Sequence, residues 1–384
     1  MKKILLFLKK EMMLTLSVIA ALASLVITKP SPELIKSIDW RTLGTLFMML
    51  TVLEGFKKES IFNPIIRFST RFRSMASLSL FLVFGVFFTS MFVTNDVSLI
   101  IFVPLTILLF RGAGKEAFIL PVISLENIAA VRGSMLMPFG SPQNLFLYGR
   151  FGVSAPTFML HMLPLCAFSA VLLIIFILFI MRKEKNQISF EGIDLSNHIN
   201  DEKAQKHKIR QVAYPILFLL ILTVIVTRTS LWPYAVLVIF ISMLVLDASI
   251  LAKTDYVLLA TFLCFFVFSS SITGNERISE FLSRLVENRE YWWSIGISQI
   301  ISNVPASIVL YPFTVNNAGL IYGLDTAGLC SLIGSLASVI NYRIYVREYP
   351  GRGKAFIKTF TLTSWAFFII VVIPGYLLSF WPFS

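Results

Sequence analysis

Val93–Ile107 reads VTNDVSLIIFVPLTI and Ile301–Val315 reads ISNVPASIVLYPFTV; the two align without gaps and match Asn95 with Asn303, Pro104 with Pro312 and Thr106 with Thr314. A second pair follows in the same order, GSMLMPFGSPQNL over 133–145 and AGLCSLIGSLASV over 327–339, sharing Gly140 with Gly334 and Ser141 with Ser335. The chain therefore carries the same two devices twice. In the first device, apolar runs at 76–92 and 97–110 are separated only by Val93-Thr94-Asn95-Asp96. Those residues are too polar for a lipid-facing turn and too few for a loop outside a membrane. A re-entrant helical hairpin with its tip buried in protein meets both constraints. The second device, an apolar run interrupted by Gly and Pro, reads as a broken transmembrane helix.

Around these segments lies a chain of 384 residues, 57% hydrophobic and 14% charged, with a mean hydropathy of +0.81. Soluble globular chains hold about 45–50% apolar and ~25% charged residues, so a soluble enzyme is excluded. Other apolar runs cover about 40–56, 157–181, 211–227, 230–252, 256–272 and 356–381. The fold expected is an all-α polytopic membrane protein with two inverted repeats, each holding a re-entrant hairpin and a broken helix. Counted through, this makes about nine full crossings plus two hairpins. The net charge of +12 first suggests a nucleic-acid binder. The long uncharged runs and 36 Phe make basic cytoplasmic loops the better account, and no nucleic-acid partner is expected. Cys166, Cys264 and Cys330 stand isolated in apolar context and imply neither a disulfide framework nor a zinc site. No P-loop, HExxH, CxxC or nucleophile elbow occurs, so neither an enzyme nor ATP-driven pumping by this chain is indicated.

Met1 to Lys10 holds four lysines and leads into an apolar stretch without a small-x-small cleavage site, which reads as an uncleaved first span. Arg182 to Arg210 is hydrophilic, with seven Lys/Arg, and reads as a cytoplasmic linker. It divides an N-terminal half at 1–181, with its hairpin at about 76–110 and its broken helix at about 113–150, from a C-terminal half at 211–384. There the hairpin falls at about 292–314 and the broken helix at about 318–342. With the N-terminus inside and the C-terminus outside, 24 of the 33 lysines and arginines are cytoplasmic, eight are outside, and Arg132 lies within the membrane. The positive-inside rule favours that orientation. The two hairpins then open to opposite sides, as in alternating-access transporters with a site at the midplane. The amphipathic segments 57–73 and 275–291 are expected to lie along opposite membrane surfaces.

Broken helices and hairpin tips leave backbone groups unpaired at bilayer depth, where carbonyls suit a cation and helix N-termini an anion. Asn95 and Asn303 each offer acceptor and donors to a substrate, or else cap the second hairpin helix. Asp96 beside the first tip is a coupling carboxylate, an ion ligand or another N-cap. Glu126 and Arg132 form a charge pair, or Arg132 neutralises an anion while Glu126 carries a proton. Gly133, Gly140, Gly328 and Gly334, with Pro138 and Pro142, interrupt their helices beside polar Ser134, Ser141, Gln143 and Asn144. His161 in its apolar run is a satisfied bundle residue or a relay.

These motif pairs resemble the Ion Transporter superfamily: citrate-transporter-like proteins, divalent anion/sodium symporters and arsenite-pump membrane subunits. The resemblance runs from about residue 40 to the C-terminus. The tips, Thr94-Asn95-Asp96 and Ser302-Asn303-Val304, stand where the symporters carry Ser-Asn-Thr. The stretches Gly140-Ser141-Pro142-Gln143-Asn144 and Gly334-Ser335-Leu336-Ala337-Ser338 stand where they carry a Pro-Pro-Asn type motif. Asn95-Asp96 is closer to the Ala-Asn-Asp of the arsenite-pump family. GSPQN looks most like bacterial inner-membrane proteins described as anion transporters. The resemblance implies that Thr94, Asn95, Ser302 and Asn303 contact substrate or Na⁺, with Na⁺ near Asn95, Gly133, Asn303 and Gly328. Ser134, Gly140, Ser141, Gln143, Asn144, Gly334 and Ser335 complete the expected site. Implied with them are an inner-membrane secondary transporter moving a small anion, Na⁺ or H⁺ coupling without a further cofactor, and a homodimer in the bilayer. The alternatives are a cation/proton antiporter and an arsenite-type efflux permease.

Overall fold

The computed structural model describes residues 11–27, 32–59, 68, 69, 71–184 and 208–383. Among them every regular element is a helix: α1 (Met12–Ile27), α2 (Pro32–Ser37), α3 (Trp40–Lys58), α4 (Met75–Val93), α5 (Asn95–Gly112), α6 (Ile119–Ser134), α7 (Pro142–Phe151) and α8 (Ala155–Met181) in the first half. The second half contributes α9 (Lys208–Thr227), α10 (Trp232–Asp247), α11 (Tyr256–Thr273), α12 (Glu276–Val286), α13 (Glu290–Ile301), α14 (Asn303–Leu310), α15 (Asn317–Ala327), α16 (Leu336–Glu348) and α17 (Gly353–Leu378). Eight helical segments among the described residues are long and apolar enough to cross a membrane. The chain is an all-α polytopic membrane protein.

Helix starts follow capping chemistry. Asp39 accepts from the Thr42 N–H at 2.9 Å, Ser74 from Ser77 at 3.2 Å, Ser154 from Thr157 at 3.2 Å and Asp255 from Leu258 at 3.0 Å. Each satisfies one amide that the first helical turn leaves unpaired, worth roughly 1 kcal/mol. Polar residues thus punctuate the apolar runs where spans begin.

The broken helices form the centre. Nearly every side chain of α6 and α15 is buried, Glu126, Asn127, Arg132 and Asp325 included. Outer helices face the other way: Leu160 and Ile175 of α8, Leu219 of α9, Val245 of α10 and Leu362 of α17 are more than half exposed. An apolar surface on this scale is a liability in water and the expected face against lipid.

The two halves pack alike. Helix α4 lies along α6 and α13 along α15, while α5 meets α16 and α14 meets α7. Each hairpin therefore lends its second helix to the distal segment of the other half's broken helix. Close approach is set by small residues: a methyl at Gly133 would fall on the Phe87 carbonyl, and one at Gly323 on the Tyr291 carbonyl. Around this centre α3 packs on α9 and α10, and α11 packs on α1.

The boundaries refine several sequence expectations. The first hairpin covers 75–112, in helices of 19 and 18 residues, whereas the second uses 12 and 8 residues before a 3₁₀ turn at Tyr311–Phe313. Lys57 and Lys58 belong to the last turn of α3, and residues 60–67 and 70 of the expected first surface segment lie outside the described residues. The second segment is the amphipathic α12, capped by Asn275 through the Ile278 N–H at 3.2 Å. Of the linker, 185–207 lie outside the described residues, as do 1–10. Lys208 to Arg210 already form the first turn of α9, and Glu184 takes Lys115 Nζ at 2.7 Å.

Candidate functional site

Each hairpin turns on one residue. Thr94 has φ 76° and ψ 155°, and Ser302 has φ 69° and ψ 156°. Matched positions of the two halves thus share one backbone conformation, in a region open essentially to glycine alone and costing about 1–3 kcal/mol for other residues. Neither side chain caps the helix that follows. The strain is therefore held by the surrounding packing. Replacing Thr94 or Ser302 by Gly is expected to raise stability by a net ~1 kcal/mol, the relieved strain less the backbone entropy of Gly. Thr94→Ala is expected to bring no gain, because the φ stays positive. Melting temperatures in detergent check both; equal melting of the Gly and Ala variants would remove the strain.

The asparagines after the turns are buried. Asn95 Oδ1 accepts from the Asp96 N–H at 3.0 Å, a local cap. Asn303 instead ties the second tip to its broken helix, its N–H to the Gly334 carbonyl at 3.2 Å and its Nδ2 to the Leu324 carbonyl at 3.5 Å. Asp96 makes no cap bond, and its Oδ1 is buried without a partner.

The interruptions fall at 135–141 and 328–335. Asn144 Nδ2 spans the first by donating to the carbonyls of Ser134 at 3.3 Å and Met135 at 3.2 Å, while Ser141 caps α7 through the Asn144 N–H at 3.3 Å. Gln299 does the corresponding work at the second, donating to the Ala327 carbonyl at 3.2 Å and accepting from Ser331 Oγ at 2.7 Å. Glycine is required at both breaks, since a Cβ on Gly140 or Gly334 would strike the carbonyl of Ser134 or Ala327.

Between the breaks the two halves touch. Arg132 Nη1 donates to the Asp325 backbone carbonyl at 3.3 Å, Gln143 Nε2 to Asp325 Oδ1 at 3.2 Å, and Gly328 lies against Val131. The Arg132 Nε and Nη2, Gln143 Oε1 and Asp325 Oδ2 are buried without partners. Glu126 and Arg132 do not pair. Glu126 accepts from the Thr106 hydroxyl, its other oxygen having no partner, and Arg132 faces Asp325. Asp325 went unnoticed in the sequence although it carried the signal that marked Asp96, a lone carboxylate in an apolar run. His161 is enclosed by Tyr322, Trp381 and Phe383, with Nε2 2.7 Å from the Trp381 carbonyl.

A cavity of about 340 Å³ reaches the tips. Of the residues expected to bind substrate, Asp96 alone lines it, joined by Val304 and Pro305 just past the second tip and by Asp255, Ile333 and Arg343. Thr94 is half-buried, and the other expected residues of the tips and breaks are buried. Asp255 and Arg343 arrive from the start of α11 and from α16, and nothing in their local sequence marks them.

Repeated tip-and-break devices around buried polar groups in a polytopic helical protein are an arrangement that membrane transporters use. The sequence profile of the citrate transporter family (CitMHS) matches residues 4–334, and the chain belongs to that family. It is 30% identical over 313 residues to "Inner membrane protein YbiR" of Escherichia coli (strain K12), covering 80% of each chain. It is 27% identical over 356 residues to "Uncharacterized transporter MJ0456" of Methanocaldococcus jannaschii, covering 91% of this chain and 92% of the relative. The protein is a transporter, not an enzyme.

Proposed function

We propose that the protein is a secondary active transporter that moves a small anion across an inner membrane by alternating access, coupled to Na⁺ or H⁺. The observation that carries this reading is the recurrence of one strained turn, at Thr94 and Ser302, in hairpins whose second helices each pack on the opposite half's broken helix. Two such units in inverted orientation give a site that either membrane face can reach in turn. The hairpins and broken helices move against a scaffold containing α1, α3 and α9 to α11, with 57–73 and 275–291 as connecting arms. A dimer forms through that scaffold.

The Asp96 cavity supports an inward-open state. Its wall includes Asp255, next to Thr254, whose hydroxyl lies 3.1 Å from that of Thr51, about two turns from the Lys58 end of α3. That end gathers Lys58, Arg210, Glu59 and Asp247, as expected of a cytoplasmic surface. The inner-membrane assignment draws on the name of the Escherichia coli relative, and the family description makes citrate the first substrate to try. A second reading, a cation or neutral cargo as in a cation/proton antiporter or an arsenite-type permease, is favoured by the lining charges, since Glu11, Asp96 and Asp255 outnumber Arg343.

Uptake into proteoliposomes with imposed Na⁺ or pH gradients separates these readings. Citrate accumulation against its own gradient is expected. A purely passive flux would make the protein a channel, and accumulation of cations or arsenite alone would select the second reading. Inversion has its own check: cysteines in place of Arg71 and of Glu280, both exposed, are expected to react with impermeant reagent from opposite sides. Labelling from one side only would end the inverted arrangement.

A further inference from the structure

At the far end of the α3–α9 pair from Lys58 and Arg210 lies a second cavity, of about 230 Å³, between the start of α3, the end of α7 and the end of α9. Arg41 and Lys58 are 17 positions apart on α3, roughly 26 Å at the helical rise, so the two ends lie at opposite membrane surfaces. The cavity shares no lining residue with the one at Asp96.

Its charges are three arginines, Arg41, Arg150 and Arg228, against one carboxylate, Asp39. Asp39 is already engaged, with Oδ1 capping α3 through Thr42 and Oδ2 3.1 Å from Arg150. Arg228 donates Nη2 to the Tyr148 carbonyl and lies over the Tyr148 ring, 4.0 Å from its centroid. Two donors are left: Arg41 Nη2 and Arg228 Nε are buried with no hydrogen-bond partner. The two guanidiniums also repel each other. Arg228 is held in this place by a positive φ of 50°, which non-glycine residues seldom adopt. Buried, unpaired, like-charged donors around a polar space are costly, and the species that removes the cost is an anion with several acceptor oxygens.

We infer that Arg41, Arg150 and Arg228 form an oxyanion site for a phosphate-type group, separate from the transport pathway. The volume equals roughly eight waters at about 30 Å³ each, enough for such a group with water around it. Planar guanidinium forks match its oxygens. The site lies at headgroup depth, where the oxyanion comes either from an anionic lipid or from solution.

The test uses full-length protein purified in detergent and freed of bound lipid. Melting is followed with inorganic phosphate added and, separately, with phosphatidylglycerol against phosphatidylcholine. Stabilisation by phosphate identifies a free oxyanion, and stabilisation by phosphatidylglycerol without phosphate identifies the lipid headgroup. Either supports the site. Arg41→Gln and Arg228→Gln are each expected to weaken binding at least tenfold. Gly149→Phe leaves the arginines in place and fills the cavity, since a Cβ there meets nothing within 4 Å, and it is expected to weaken binding similarly even where an arginine variant fails to fold. No stabilisation of the wild type by either ligand, or undiminished binding in Gly149→Phe, overturns the inference.

Discussion

Replacing Asp96 by Asn is expected to uncouple the transporter from its driving gradient. The two side chains are the same size, so the change removes charge and protonation without altering the packing of α5. Asp96 is the one residue of the first tip that lines the cavity, and its Oδ1 is buried without a protein partner. A carboxylate so placed is costly unless it binds something that comes and goes. A hydrogen bond to a charged group contributes about 1.5–3 kcal/mol, so the half-saturating concentration of the coupling ion should rise roughly 10- to 100-fold. Proteoliposomes loaded to give matched Na⁺ or pH gradients measure this directly: the wild type should respond to one gradient, the variant to neither. Identical gradient dependence in Asp96→Asn would leave the carboxylate without a coupling role. Asp96→Glu, which keeps the charge but lengthens the chain, should retain part of the response.

The architecture was legible because a membrane core has little reason to contain polar residues, so those present mark the turns and breaks. Thr94 to Asp96 and Gly140 to Asn144 mark such places: the structure turns at Thr94 just before α5, and Gly140 and Ser141 close an interruption from which Pro142 to Asn144 open α7. Charge partners were less legible. Glu126 and Arg132 stand six residues apart, which on an α-helix is about 9 Å along the axis and about 120° around it, so helical geometry already opposed a direct pair. The real neighbour of Arg132, Asp325, lies in the other half and aligns with Val131 in the repeat. A comparison of the halves that looks for shared residues passes over such a position, because what matters there is that the halves differ. Asp255 and Arg343 were hidden for another reason: Asp255 caps α11, where a charge usually means interfacial exposure, Arg343 sits midway along α16, and only the packing of α11 and α16 turns them toward the cavity.

The largest effect on stability is expected at that junction of the halves. Arg132 is fully buried and bonded to the backbone carbonyl of Asp325, whose carboxylate, 1% exposed and held by Gln143, lies close by without a direct bond to the guanidinium. Asp325→Ala removes the nearby carboxylate, leaves the guanidinium only its bonds to the backbone carbonyl of residue 325 and to the Met135 sulfur, and deprives Gln143 of its acceptor. Such deletions cost about 3–5 kcal/mol, whereas replacing both members of a buried pair by apolar residues of similar volume is often neutral or stabilising. Arg132→Met combined with Asp325→Leu should therefore restore much of the stability that either single change loses, giving a coupling energy of several kcal/mol where independent sites couple by about 0.3–0.5 kcal/mol. Melting of the four proteins of this cycle in one detergent measures it. Additive effects would mean that the guanidinium is compensated elsewhere. Uptake by the double variant then separates two uses of the pair. If the charges only join α6 to α15, a refolded double variant transports; if they serve the alternation between states, it is stable and inactive. We expect the second outcome, because Arg132 bonds the Asp325 carbonyl while its Nε and Nη2 and one carboxylate oxygen stay unpaired. A pair kept for stability alone would have used those groups, whereas one that must re-form in a second arrangement of the breaks leaves them open.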